Sequence, residues 1–372
     1  DAPGGNAHLQ ADTATLDHGK QVFADTCARC HSSKAPTPPP DLGLEPQKCT
    51  GGGYMGCFKA YWGWTQTDGY KKLMRQIVQA PDFLQGNYLS TEARIPATLL
   101  RTNVCSPLAT NALGGNIWDN FSSTAYKQLP SVGTVTLSDP FTGANVPYAM
   151  PAGGRGYTRV PSLVGLWSTA PYLLNNTLGP FNGDPSVAGR MAVFDASINQ
   201  LLWPAQRERD SILGSRVPGT IDRTDQRSEI IVPAGFVPEV LQPLRRVLHR
   251  LVPSLGGDIT LGPIPKGMPV SLISNLKLQA EDGGALAHKR DLAEVLVKLP
   301  VDLFKARNAP DSELREKFAN LRAPLMRLSK CPDFVVNRGH YFGTAEFNQQ
   351  EGLSADEKAF GTEPALSDAD KR

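Results

Sequence analysis

Cys27-Ala28-Arg29-Cys30-His31 concentrates more chemistry than any other stretch of the chain. Two cysteines separated by two residues and followed at once by histidine form the signature for covalent attachment of c-type haem. The spacing has a physical reason. On one helical turn the two thiols reach the two vinyl groups along one edge of a porphyrin, and the next residue carries its imidazole beneath the iron. Two other readings use the same cysteines, a redox disulfide and half of a four-ligand zinc site. A redox CxxC follows a strand and opens a helix, and no strand is expected before Cys27. A zinc site needs a second Cys/His pair at similar spacing, and the sequence has none. The adjacent His31 decides for haem.

Two segments must position this motif. Asp17 to Thr26 reads as a short helix feeding it, with Val22, Phe23 and Thr26 on one side. Beyond it, Ser33 to Gly43 is rich in proline and ends in Pro40-Asp41-Leu42-Gly43, a run whose fixed φ angles and missing donors make a stiff extended loop.

An iron held by His31 requires a ligand on its other face. His8 and His18 precede the attachment helix, while His249 and His288 fall on predicted helices beside Arg or Lys, the pattern of a solvated face. Met150 is followed by proline in a glycine-rich loop, a setting that can present a thioether. His340 follows a glycine that permits close approach, is flanked by aromatics and comes after Cys331. The residues leave both open. A thioether would raise the reduction potential and a second histidine would leave it lower, within a range of about 0.8 V set by axial ligands. Either closes the coordination sphere, which suits electron transfer and not activation of oxygen or peroxide. Arg155 and Arg159 are candidates to pair with haem propionates, because a planar guanidinium matches a carboxylate.

The totals exclude several classes. At 372 residues the chain can bury a substantial core and hold two domains. A net charge of +2 gives no support to nucleic-acid binding. No stretch approaches the roughly 18 uninterrupted apolar residues of a membrane helix, and no GxGxxG, P-loop or Ser-His-Asp arrangement is evident. High glycine and proline, 35 and 31 residues, point to long ordered loops over a helical frame. Beyond the haem pair, Cys49, Cys57, Cys105 and Cys331 read as two disulfides in an oxidising compartment, since attachment through CxxCH takes place outside the cytoplasm. Three pairings are open. The glycine-rich loop 50–56 favours Cys49–Cys57, leaving Cys105 for Cys331.

Along the chain, Phe58 to Trp64 is an aromatic cluster suited to packing against a macrocycle or to a loop lid. Helices are predicted over 69–79 (Tyr70, Leu73 and Ile77 in register), 90–101 with Ser90 and Thr91 as caps, 187–203, 237–251, 285–299 and 311–329, with an interrupted helix over 109–128. Ser131 to Leu137 alternates as one arm of a small hairpin, and 214–233 reads as polar loop.

Several segments resemble known families. Gly156-Tyr157-x-x-x-Pro161-x-Leu163-x-Gly165-x-Trp167-x-Thr169-Ala170-Pro171-Tyr172-Leu173 resembles a segment shared by bacterial di-haem cytochrome c peroxidases and the related rubber-oxygenase and fatty-acid-dioxygenase cytochromes. Those proteins often continue with His-Asn-Gly, where this chain has Leu174 and Asn176, so no ligand follows there. Pro265 to Leu276 resembles the rubber-oxygenase group. Arg338-Gly339-His340-x-Phe342-Gly343 is similar to the segment that supplies the distal histidine of that group's second haem, which carries the role to His340. The region around 15–45 resembles class I cytochromes c, implying that a prolyl carbonyl, of Pro39 or Pro40, accepts the other ring N–H of His31. In the oxygenase group the activating haem lies in an N-terminal domain with its own CxxCH, and this chain has a single CxxCH.

The expectations are therefore these. The fold is mainly α, a class I cytochrome c-like haem domain with large helical and loop insertions and a small β-hairpin. Residues 1–224 form the haem domain, 225–330 a helical elaboration, and 331–372 a return segment supplying the distal ligand. The cofactor is one covalent haem c attached at Cys27 and Cys30, with His31 and His340 (or Met150) on the iron. The protein carries single electrons in the periplasm or outside the cell, towards a redox protein partner or an associated catalytic haem domain. The alternative is the electron-transfer part of a di-haem oxygenase or peroxidase acting on lipid, polyisoprenoid or peroxide. No nucleic acid and no membrane span are expected. The abrupt Asp1 start and a helix-start pattern at Ser367 suggest a piece of a longer chain.

Overall fold

The helix before the cysteines begins earlier than its apolar spacing suggests, because Asp12 caps it. The Asp12 carboxylate accepts hydrogen bonds from the Thr15 backbone N–H at 2.9 Å and its hydroxyl at 3.0 Å. In the computed structural model, which describes residues 12–45, 47–109, 119–253, 257–280 and 285–372, this helix runs Thr13–Val22. It continues through one π-helical turn over Phe23–Cys27 and ends as Ala28–His31. Its inward residues are Phe23, Ala24 and Ala28, packed with Trp64, Tyr70, Met74, Val78 and Phe83. Two alanines let the attachment helix lie close to those rings.

The chain is mainly helical with few short strands. Tyr54–Thr65 and Asp68–Gln79 follow the motif, the second capped by Thr67, whose hydroxyl accepts the Tyr70 N–H at 3.3 Å. Its buried face is Tyr70, Met74 and Val78, at spacing of four, and Leu73 lies outside. The helix predicted over 90–101 is not formed. Arg94–Pro96 is a strand paired antiparallel with Tyr157–Arg159, followed by the single turn Ala97–Leu100. Pro96 lacks the donor a helix interior needs, and the Ser90 hydroxyl donates to the Val160 carbonyl at 2.6 Å instead of capping.

Six strands are described: β1 Arg94–Pro96, β2 Thr134–Ser138, β3 Asn145–Ala149, β4 Tyr157–Arg159, β5 Ser228–Val232 and β6 Ile259–Ile264. They pair as three ribbons, β1–β4, β2–β3 and β5–β6. The expected hairpin is β2–β3, turned by Asp139, whose carboxylate accepts the backbone N–H groups of Phe141 and Thr142. β5 lies within the stretch read as loop. In the interrupted helix, residues 110–118 lie outside the described residues, and Thr124–Lys127 forms one turn capped by Ser123. At Ser367 the hydroxyl accepts the Asp370 N–H at 3.2 Å, closing a turn and not a helix.

The chain divides into two units. The first gathers the described residues of 1–136, 145–208 and 337–372, and the second those of 137–144 and 209–336. The first has aromatic interiors: the cluster under the attachment helix, and another of Phe58, Trp62, Ile95, Leu99, Val160, Phe347 and Phe360 against which Cys30, Tyr341 and Phe342 pack. It also holds Val187–Leu202, capped by Ser186. The second unit is built from Gln242–Leu251, a helix running from Ala285 to Lys305 through a π turn at Glu294–Lys298, Asp311–Asn320, Arg322–Leu328 and the β5–β6 ribbon. Its core is chiefly leucine, valine and isoleucine, with Phe318 and Phe334. No helix among the described residues is long and apolar enough to cross a membrane.

Candidate haem site

The attachment helix carries Cys27, Cys30 and His31 within the first unit. Both cysteines are free thiols. Burial pushes each up to a pKa of about 11, against a smaller opposing pull from the Arg29 guanidinium. A redox-active cysteine has its thiol pKa lowered, so the upward shift disfavours the redox-disulfide reading. The other four cysteines are all in disulfides. Cys49 and Cys57 are bonded to each other, with Cα atoms 5.3 Å apart, around the glycine-rich loop.

Arg29, inside the motif, is 4% exposed and paired with Glu363, 6% exposed, from the C-terminal stretch. Its guanidinium also lies 4.3 Å from the centre of the Trp62 ring, and its Nε donates to the Thr26 carbonyl at 3.2 Å. The Tyr61 hydroxyl donates to the Arg29 carbonyl at 3.0 Å. The attachment turn is thereby fixed from three sides. Its motif position made Arg29 visible in the sequence; nothing there marked Glu363 as its partner.

His340 stands opposite His31, their ring centroids 6.4 Å apart and their planes inclined at 46°. With metal–imidazole bonds of about 2.0 Å and roughly 1.1 Å from ring nitrogen to ring centre, two trans histidines hold their centroids about 6 Å apart. The observed spacing matches that requirement across 309 residues of sequence (340 − 31). The approach depends on local backbone. Gly339 has φ +113°, and a Cβ there would lie 2.5 Å from the Thr102 Cα, so glycine alone fits. His340 itself is left-handed, at φ +50°. Its backbone N–H donates to the Leu100 carbonyl at 3.2 Å, while Arg207 Nη1 donates to the Gly339 carbonyl at 2.9 Å. Phe342 meets the His340 ring edge-on at 5.3 Å.

Both rings are held neutral. Burial pulls His31 down to about 4, opposed by the carbonyls of Pro161 and Leu89. Burial likewise pulls His340 down to about 4, with His31 and Arg207 acting in the same direction. Neutral imidazole is the form that ligates metal. The Nδ1 atoms of both histidines are buried without a hydrogen-bond partner. Among the described residues no three His, Cys, Asp or Glu side chains converge as a metal cage. Two facing histidines beside a CxxC therefore fit a metal whose equatorial ligands come with it, as a porphyrin's do.

The other expected site residues make contacts of their own. Met150 is buried, with its methyl over Gly156 beside Val132 and its N–H donating to the Gly133 carbonyl at 3.0 Å. Arg155 Nε donates to the Leu108 carbonyl at 3.1 Å. Arg159 is 59% exposed and paired with Glu92 at 2.7 Å. The carbonyls of Pro39 and Pro40 accept from Leu42 and Gly43 in their own turn, and the carbonyls acting on His31 are those of Pro161 and Leu89. Proline stiffens that loop, and the turn it makes occupies its own acceptors. Leu174 is 45% exposed. His18 contacts Asp370 at 2.9 Å, His249 is exposed, and His8 lies outside the described residues. Searches against protein-family models, curated proteins and solved structures give no match to this chain.

Proposed function

We propose that this chain is a c-type cytochrome unit. Cys27 and Cys30 would tether one haem, His31 and His340 would hold its iron, and the protein would pass single electrons to a redox partner in the periplasm or outside the cell. The observation that carries this reading is the pairing of two neutral imidazoles at 6.4 Å beside the CxxC turn. Bound there, the haem would supply one-electron redox chemistry in a closed coordination sphere. The chain's own residues would do the rest. The aromatic walls exclude water, Arg29 and Glu363 fix the attachment turn, and the Gly339 backbone sets the height of His340. The helix–CxxCH–proline loop order supports a class I cytochrome c-like arrangement for the first unit.

A second reading, the electron-transfer part of a di-haem oxygenase or peroxidase, draws support from the sequence resemblances at 146–176, 262–276 and 328–344. One experiment tests both. The protein is purified from its native source and from a host that attaches haem outside the cytoplasm, and its denatured mass is measured beside a Cys27→Ala/Cys30→Ala variant. One covalent haem on the 372-residue chain, absent from the variant, is the expected result. No haem would remove the reading. A longer native chain with two haems would favour the second one.

A further inference from the structure

We infer that Arg101 is a carboxylate-binding residue whose guanidinium holds a propionate of the tetrapyrrole tethered at Cys27 and Cys30. This rests on the haem reading above and moves to a new residue the role that the sequence offered to Arg155 and Arg159.

Arg101 is 5% exposed. It follows the Ala97–Leu100 turn with a left-handed backbone, φ +51°, and it is built into the histidine segment. The preceding carbonyl, of Leu100, accepts the His340 N–H, and its own carbonyl accepts Arg338 Nη1 at 3.0 Å. Its side chain runs to the aromatic set beside that histidine. The guanidinium lies 4.9 Å from the centre of the Phe347 ring, Phe347 is 5.2 Å from Phe342, and Phe342 is 5.3 Å from His340.

Only one corner of the fork is used. Nη1 donates to the carbonyls of Phe347 at 2.9 Å and Gln349 at 3.4 Å, while Nε and Nη2 are buried without a partner. Those two atoms form the edge that grips a carboxylate with two parallel bonds. Among the described residues four other arginines turn that same edge to a carboxylate: Arg75 on Asp25, Arg223 on Asp210, Arg227 on Asp311 and Arg327 on Asp291. Glu357 favours the charge on Arg101 from a distance, but no ion pair joins them. The Glu357 carboxylate accepts instead from Ser354 N–H and from the N–H and hydroxyl of Thr136. Buried guanidinium donors are rarely left without acceptors, and the described residues offer this pair none. A porphyrin carboxylate has the matching charge and shape, and the tether at Cys27 and Cys30 would bring it within reach of the unit that holds Arg101.

The test uses the full-length holoprotein with Arg101→Gln, Arg101→Lys and Arg159→Gln. Haem content of the wild type is checked first, since a protein without haem overturns the reading on which this inference stands. Resonance Raman then reads the propionate-bending mode and a redox titration the midpoint potential. Arg101→Gln is expected to shift the propionate mode and lower the midpoint, Arg101→Lys to shift the mode and lower the midpoint less, and Arg159→Gln to change neither. If Arg101→Gln does not accumulate, Arg101→Lys decides. A haem-loaded variant whose propionate mode matches the wild type overturns the assignment while leaving the haem reading intact.

Discussion

The two units of this chain solve the problem of an interior in opposite ways. The second fills its core with aliphatic side chains around Phe318 and Phe334, and three of its buried acids are matched by arginines: Asp210 by Arg223, Asp291 by Arg327 and Asp139 by Arg322. The first unit lines its interior with Phe58, Trp62, Phe347 and Phe360 and leaves ring nitrogens of His31 and His340, and donors of Arg94 and Arg101, without protein partners. Among the described residues of the second unit, only His288 Nε2 and Asp139 Oδ2 are buried without a hydrogen bond, and the latter has its arginine. A core that saturates its own polar groups is a scaffold. On the haem reading, the imidazoles and the guanidinium edge of the first unit are the groups a polar guest would take up.

The sharpest way to break this contrast is a matched pair of core substitutions. Trp62, Trp64, Trp167 and Trp203 lie in the first unit and the ranges of the second contain no tryptophan, so fluorescence reports on the first. Arg29→Met leaves Glu363 buried without its partner and is expected to cost about 3–5 kcal/mol, read as an early fluorescence transition in urea. Phe318→Ala should cost about 3–5 kcal/mol through the cavity it leaves. Its loss should appear in far-ultraviolet circular dichroism, with the fluorescence transition and visible spectrum unchanged. If both probes move together in both variants, the units are one cooperative block and the contrast fails.

A smaller effect sharpens the site itself. Gly339→Ala forces a side chain onto a backbone at φ +113° and against Thr102, strain of about 1–3 kcal/mol. The expected readout is a change in the axial-ligand spectrum larger than the change in unfolding midpoint. An unaltered spectrum would mean that His340 is not held by this backbone. The smallest effect lies in the second unit. Arg327 grips Asp291 through two bonds and holds its carboxyl below the usual range, with burial opposing. A depressed folded pKa gives stability that is present above the unfolded value, about 3.9, and lost as pH falls through the folded one. Because Arg327 is half exposed, Asp291→Asn should cost no more than about 1 kcal/mol near neutral pH. The gap from wild type should close in acid. A gap constant from pH 7 to pH 3 would contradict the assignment.

Local chemistry was the legible part of the sequence. The CxxCH motif, the helix over 69–79, the hairpin arm at Ser131 to Leu137 and the Cys49–Cys57 loop each depend on residues a few positions apart, so spacing alone places them. The strand at Arg94–Pro96 was hidden because its register is set by Tyr157–Arg159, over 60 positions away. The Arg29–Glu363 pair and the acceptors beside His31 are likewise long-range facts. The candidate arginines illustrate the limit. Arg155 and Arg159 drew notice from a recognisable segment, whereas Arg101 stands out only once its burial and its idle edge are seen together.

The central claim is that His31 and His340 face each other across one iron, and axial-ligand spectroscopy of the oxidised holoprotein tests it most directly. The account predicts a low-spin spectrum of two imidazoles without the far-red methionine–iron band. In His340→Met that band should appear and the midpoint potential should rise. A wild-type protein that shows the band and loses it in Met150→Leu, or that binds cyanide or carbon monoxide readily when untreated, would contradict it.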